Sequence, residues 1–599
     1  ETIIEEYLTK YHKPPNKPFS LLLINKNLND GLGDFLHNYD FYKYLCKRFE
    51  GDDRVVVNGI CFITKNKLEL VNRIYQEDFA AHRVVQMTSA AKQNIPPGSF
   101  VLCQDEYGAE LDYATDANAV INVSVLLNRD PKTEIPFSNI VIDYLESKID
   151  TRHKPQFFSV LEYGAMNEGC ISTVCGEEIV EYAMGVRSYQ AGIKFIPTLL
   201  ETSADKAATQ IKEQNKTVLQ RFLLDDHDNT FVGCAYLQSA DYTLKFVLVA
   251  AHLTQKENIN LFINHQFFKN KDVYDPPNQM LKELLQSAKG RINIGQVEFM
   301  SHTGACLHRI SLDTDTTTQH GTPRVLRLIN FPGTTEADKM QILALSDLVG
   351  GSGDTSISEM ISARKFPFFA VPHRHKLDFV YQIIGDLRHK FPDFKECIQY
   401  IEQGLPGGVD EYIQYLDFAR DHAEIIGKQW TEYCQYLAKH CNVENAINHL
   451  FEEAVIHEMG IMGSDEEKTS IIPAQKAIST QKISDRKLFE IIRCDEDREL
   501  SDTEIKTLFQ QKVADWSLED GVFPIVELVM GSLPILVNQR RSLKELVDTL
   551  FCAKRVDELI PLLLKAVDSS SIKKLTDEYL SWLKPLSNDK KFATTILDK

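Results

Sequence analysis

The chain has 599 residues and carries 66 Lys and Arg against 85 Asp and Glu, a formal net charge of −19. Broad binding to nucleic acid or to an anionic membrane needs a basic face, so this balance excludes both as general functions. Hydrophobic residues at 43% and charged residues at 25% describe a globular chain rather than a disordered one. The most apolar stretch, Phe523 to Val537, is interrupted by Glu527 and falls short of the ~20 residues a bilayer requires, so no membrane span is expected. Twelve cysteines stand without a CxxC or a short Cys/His cluster, which predicts reduced thiols and a cytoplasmic protein.

In chain order, the first two thirds alternate short β-rich runs with helical patterns. Strands are expected at Leu21–Asn25, Val55–Thr64, Val84–Met87, Phe100–Gln104, Ala119–Leu127, Ile140–Tyr144 and Phe157–Tyr163. A second series is expected at Phe231–Leu237, Phe246–Ala250, Ile259–Asn264, Val297–Ser301, Val325–Asn330, Leu348–Gly350 and Phe366–Val371. Nearly continuous apolar runs of this length fit parallel strands covered on both faces, and their alternation with helices implies βαβ units. There are too many strands for one sheet. The expected fold is therefore α/β, with two Rossmann-like doubly wound domains over 1–200 and 201–385, joined within Glu201–Asn229. Beyond about His375 strand signals fade and long helical patterns take over, as at Val409–Leu437, Asn442–Glu458 and Leu543–Leu563, so 386–599 reads as an all-α extension.

The first expected strand runs into Asn29-Asp30-Gly31-Leu32-Gly33-Asp34. Apolar residues then recur at Leu32, Phe35, Tyr39, Tyr42, Cys46 and Phe49, one face of a helix. Gly31 and Gly33 permit positive φ and a close ligand approach. A carboxylate here, Asp34 or Asp30, suits a general base, though Asp34 is equally at home as a helix-start residue favoured by the dipole.

A second glycine-rich corner lies at Val349-Gly350-Gly351-Ser352-Gly353-Asp354-Thr355-Ser356, followed by helical spacing at Ile357, Met360 and Ile361. Hydroxyls and free backbone N–H groups at a helix start cradle phosphates without a lysine. Glu359 is placed to bond a sugar hydroxyl or to complete a capping box with Ser356. His302, just past an expected strand, stands where α/β ligands bind, and reads as a ligand contact or as an ordinary loop histidine. Asp313-Thr314-Asp315 has a metal-nucleotide spacing in a Thr-rich stretch and is taken as a chance match; no metal site is expected.

The two corners together resemble GT-B fold glycosyltransferases. The segment Gly353-Asp354-Thr355-Ser356 through Ala363-Arg364-Lys365-Phe366-Pro367 looks like the donor-phosphate motif of that fold. With Asp30, Gly33 and Asp34 it is most similar to the arginine rhamnosyltransferases that modify elongation factor P. The sequence departs from that family at Gly353, where no Glu precedes Asp354, and at Pro372-His373-Arg374-His375, where a Trp is missing. The appended helices resemble effector glycosyltransferases that intracellular bacteria secrete into a host cytosol. The resemblance implies a nucleotide sugar held by the second domain through Gly351, Ser352, Gly353, Asp354, Thr355, Ser356 and Glu359, with His302, Arg327 and Arg374 among the flanking candidates and Arg324 and Lys376 nearby. It implies a protein acceptor entering from the first domain, with Asp34 or Asp30 as base, no divalent metal, and no cofactor beyond the nucleotide-sugar co-substrate. Two alternatives share the pattern: a nucleotide-sugar hydrolase or epimerase, and a non-catalytic scaffold that binds a partner through its helices.

Overall fold

The computed structural model describes residues 2–462, apart from 28–31, 88–94, 105–115, 125–138, 150–154, 164–172, 176, 187–189, 238, 265–275, 288–291, 313–322, 331–334, 372–373 and 405–408. The expected helix Leu543–Leu563, the apolar stretch Phe523–Val537, the Asp313-Thr314-Asp315 spacing, Asp30 and Gly31 lie outside the described residues. The chain divides into two compact units, 1–474 and 475–599, and everything described belongs to the first.

Helix α1 (Thr2–Tyr11) leads into β1 (Phe19–Lys26), α2 (Gly33–Arg48), β2 (Val55–Ile63), α3 (Lys65–Ala81), β3 (Val84–Met87), β4 (Phe100–Gln104), β5 (Ala119–Ser124), α4 (Asn139–Lys148), β6 (Gln156–Leu161), β7 (Thr173–Val174) and β8 (Glu177–Ala183). These strands form one eight-stranded sheet in the order β3-β4-β2-β1-β5-β6-β8-β7. All its pairings are parallel except β7 with β8. β1 is buried along its whole length, as expected for a central strand covered on both faces. The chain order reverses between β1 and β5, and that reversal is the sheet's topological switch point.

Three short helices, α5 (Pro197–Glu201), α6 (Ala204–Glu213) and α7 (Thr217–Leu223), lead to the second sheet. It is built from β9 (Thr230–Tyr236), α8 (Ala240–Leu253), β10 (Asn258–Ile263), α9 (Pro276–Ser287), β11 (Ile294–Met300), β12 (Cys306–Ser311), β13 (Arg324–Asn330), α10 (Glu336–Leu345), β14 (Leu348–Gly351), α11 (Asp354–Ala363) and β15 (Phe366–Phe369). The strand order is β12-β11-β13-β10-β9-β14-β15, with only the β11–β12 pair antiparallel. Its switch point falls between β9 and β14. The expected class, two doubly wound α/β sheets followed by helices, is what the chain forms.

Two expected strands are helical. Ile140–Tyr144 lies within α4 and Phe246–Ala250 within α8. A largely buried helix shows the same short apolar run as a buried strand, and α8 is buried from Thr243 to His252 except at Lys245. Length and capping decide: α8 runs 14 residues from Ser239, whose side chain accepts the N–H of Tyr242. The strands β7, β8 and β12 were not anticipated.

The helices α12 (Arg374–Lys390), α13 (Lys395–Gln403), α14 (Val409–Asp421), α15 (Ala423–His440) and α16 (Val443–Met462) follow. The expected boundary at 386 falls inside α12 and inside the first compact unit. α16 crosses back onto the first sheet: Phe451 packs edge-on against Phe19, and Glu458 accepts from His12 at 3.1 Å and from Asn118 at 3.0 Å. No helix among the described residues is long and apolar enough to cross a membrane.

Candidate functional site

Each sheet presents one helix N-terminus at its switch point, and the two meet. A Cβ placed on Gly33, the first residue of α2, would lie 3.5 Å from the Thr355 hydroxyl in the first turn of α11. Helix N-termini carry unpaired N–H groups and the positive end of the dipole, so this apposition concentrates positive potential inside an acidic protein.

The start of α2 is fixed by amide side chains. Asn25, near the end of β1, donates to the Asp34 carbonyl at 2.7 Å and accepts from Asn38 at 2.8 Å. Asn38 also donates to the Ile60 carbonyl on β2, and Asn27 accepts the N–H of Phe35. Asp34 itself is buried in the first turn.

The start of α11 is fixed differently. The Ser356 hydroxyl accepts the N–H groups of both Ser352 and Gly353 at 3.0 Å, and Ser352 Oγ donates to the Tyr236 carbonyl at 3.1 Å. The cap therefore lies at Gly353 with Ser356 three residues on, and the expected Ser356–Glu359 capping box does not form. Glu359 instead pairs with Lys339 on α10, the carboxylate buried and the lysine half-buried. Burial raises the Glu359 carboxyl although Lys339 opposes the rise. The described glycines of both corners do without positive φ. Gly351 is needed for a different reason, because a Cβ there would sit 2.7 Å from the Ser356 backbone.

One stripe of α11 faces the first domain. Asp354 accepts the N–H of Tyr163 at 3.2 Å, Ser358 Oγ lies 2.8 Å from the Tyr163 hydroxyl, and Ser362 Oγ accepts the N–H of Ile196 at 2.9 Å. These three residues follow at steps of four, so they line one side of the helix. The Tyr163 hydroxyl also accepts the N–H of Lys194 at 2.9 Å, and its ring stacks on Phe379. Lys376, 3% exposed on α12, holds both Asp354 and Glu162, which follows β6. Lys194, equally buried, pairs with Asp40 on α2. Tyr75 on α3 adds a bond to Glu336 on α10 at 3.2 Å. None of Tyr163, Lys194, Ser358 or Ser362 carried a motif signal, because each acquires its partner from tens to nearly two hundred residues away.

The remaining candidates stand elsewhere. His302 is exposed in the β11–β12 turn, at the far edge of the sheet from β14. Arg327, mid-strand on β13, bonds Glu298 and Asn258 at 2.9 Å each. Arg324 is buried and donates to the Ala251 and Thr254 carbonyls at the end of α8, and burial pulls it down to about 10. Arg374 opens α12, and its side chain lies outside the described residues. A cavity of about 620 Å3, lined by Phe231, Asp347, Arg364 and Lys365 among others, lies at the opposite, N-terminal edge of the second sheet. Among the described residues no three His, Cys, Asp or Glu side chains converge as metal ligands.

The chain is thus a protein of two Rossmann-like sheets whose switch-point helices converge on one seam. No protein-family model matches it, and no curated protein matches it in sequence. Solved structures that resemble it include UDP-GlcNAc 2-epimerase from Neisseria meningitidis bound to UDP-GlcNAc, at 7% identity over 70% of this chain and 100% of that one, TM-score 0.28. A glycosyltransferase from Rickettsia africae matches at 11% identity over 71% and 100%, TM-score 0.28. The α,α-trehalose 6-phosphate synthase from Burkholderia multivorans matches at 9% identity over 72% and 99%, TM-score 0.28. At such scores the fold assignment rests on the strand order and register described above.

Proposed function

We propose that the chain is a glycosyltransferase of the GT-B type, which moves a sugar from a nucleotide-sugar donor to an acceptor at the α2–α11 seam. The observation that carries this reading is the approach of Thr355 to Gly33, close enough that a Cβ on Gly33 would touch its hydroxyl, which brings the helix starts of both switch points to one place. In open α/β sheets ligands bind at the carboxyl ends of strands beside the switch point. Here the first domain supplies Asp34 as general base for the acceptor, and the second supplies the loop Gly351–Ser356 for the donor phosphates. Helix dipoles and buried lysines stabilise the leaving nucleoside diphosphate in the role a divalent metal plays elsewhere. We take the acceptor to be a protein side chain, on the resemblance of the two loops to protein-modifying transferases.

A thermal-shift panel of uridine, guanosine and thymidine diphosphate sugars tests donor binding. Product analysis by mass spectrometry, with and without candidate protein acceptors, then tests transfer. The expected result is stabilisation by one donor class, and transfer that Asp34→Asn abolishes while donor binding persists. If no nucleotide sugar raises the melting temperature, the reading fails. Free sugar or an epimerised donor without acceptor would replace transfer with hydrolysis or epimerisation.

A further inference from the structure

Two polar groups at the seam, an imidazole and a hydroxyl, are buried without hydrogen-bond partners. His37 lies one turn beyond Gly33 on the same face of α2, is 1% exposed, and has no partner at either ring nitrogen. The Thr355 hydroxyl, which faces Gly33, is likewise buried and unbonded. A buried polar group without a hydrogen-bond partner is destabilising, so both residues weaken the ligand-free chain. Charged groups surround His37 from several elements: Asp40 on its own helix, Lys194 after β8, Glu162 after β6 and Lys376 on α12. Burial first, and then Lys194, holds the imidazole neutral, with one N–H to give and one lone pair. Beside it, Asp354 sits at the first position of α11 against Lys376. A helix start and a buried ammonium form an anion site, and the ligand-free chain fills it with its own carboxylate.

We propose that the seam is a diphosphate site in latched form, in which the ligand's phosphates displace Asp354 from Lys376 and take Thr355 Oγ1 and His37 as further donors. The inference rests on the nucleotide-sugar reading and extends it by naming residues and an exchange. It also accounts for an acidic chain keeping a buried lysine between two carboxylates.

Calorimetric titration of the full chain with inorganic pyrophosphate, and separately with the nucleotide sugars, tests it. Asp354→Asn removes the competing charge and is expected to tighten pyrophosphate about tenfold, a change of ~1.4 kcal/mol. Thr355→Val and His37→Leu each remove a donor that is unbonded in the free chain. Both are expected to weaken pyrophosphate by roughly five- to tenfold while the melting temperature holds or rises. A purely structural role predicts the reverse, a lower melting temperature with unchanged binding. Equal pyrophosphate affinity across wild type and all three variants overturns the proposal, as does a failure of Asp354→Asn to bind pyrophosphate. If pyrophosphate follows the expected pattern and no nucleotide sugar binds, the anion site stands and the transferase reading falls. If nucleotide sugars bind indifferently to the three substitutions, the transferase reading stands and the latch falls.

Discussion

The starts of α2 and α11 hold equivalent positions, each beside the switch point of its sheet, yet they are secured in opposite ways. α2 is tied to its own sheet by Asn25, Asn27 and Asn38, all within its βαβ unit. α11 is capped by its own Ser356 and then stapled to the other domain through Asp354, Ser358 and Ser362. An aspartate further along α2, Asp40, and the first residue of α11, Asp354, differ in the same sense. Burial alone would raise the Asp40 carboxyl, but Lys194 and Lys43 outweigh it and hold it at about 2. Burial pushes Asp354 up to about 6 against the pull of Lys376. The lesson is that one helix start is a local structure, whereas the other exists in its observed form only because two domains close on it.

The strongest way to break this comparison is Lys376→Met, which strands Asp354 and Glu162 at the seam. A buried ion pair that loses one partner costs about 3–5 kcal/mol, so denaturant unfolding should show a loss of that size. A loss no larger than that of an exposed lysine would mean that the two sheets do not depend on this contact.

Next come the two glycines. Gly351→Ala drives a Cβ into the Ser356 backbone and is expected to destabilise by roughly 1–3 kcal/mol. Gly33→Ala meets only ordinary contact and is expected to stay within about 0.5 kcal/mol of wild type in the same unfolding measurement. Equal effects at both positions would erase the contrast.

The aspartates sharpen it through pH. The folded pKa of Asp354, about 6, stands above the ordinary carboxylate value of ~3.9 expected in the unfolded chain. Between those values the folded chain keeps a proton that the unfolded chain has lost, so this group adds stability as pH falls from 6 to 4. The gain is on the order of 2 kcal/mol, and it is absent above pH 6. Asp40 behaves oppositely: its contribution is present above pH ~4 and is lost as pH falls toward 2. Unfolding free energies across pH 3–8 for wild type and Asp354→Asn should differ by a curve that slopes only through the first window.

The smallest expected effect is Ser362→Ala, which leaves the Ile196 N–H without its acceptor, at a cost of about 1 kcal/mol. Hydrogen exchange at Ile196 should accelerate while exchange in β1 stays unchanged, a split that would confirm the seam as a separate unit of stability.

Much of the fold was legible because strand and helix signals are local. The β1–turn–α2 unit follows from a five-residue apolar run and a 3.6-residue period, and the structure buries Phe35, Tyr39 and Tyr42 on that face. The α4 and α8 segments depart from expectation because short, mostly apolar runs such as Ile140–Tyr144 and Phe246–Ala250 are too short to separate the buried face of a helix from a strand. At the candidate site, Gly33, Asp34, Thr355 and Ser356 were visible as a turn chemistry. His37 was not, since a histidine inside a helical period carries no mark of what it will face. Arg327 showed the converse: a cation beside the expected site that the fold commits to Glu298.

The sequence by itself determined that the chain forms two doubly wound sheets, each with a glycine corner leading into a helix, because backbone sterics and apolar periodicity act within a few residues. Only the tertiary structure decided that the two corners meet, that Asp354 faces Lys376 and that His37 is buried without a partner. Those facts depend on contacts between residues far apart in the chain, where burial sets the strength of every charge and the cost of every unpaired polar atom. The net charge of −19 says nothing of this arrangement, in which the positive groups that matter are Lys194 and Lys376, buried against carboxylates at one seam, with the half-buried Lys339 paired to Glu359 beside them.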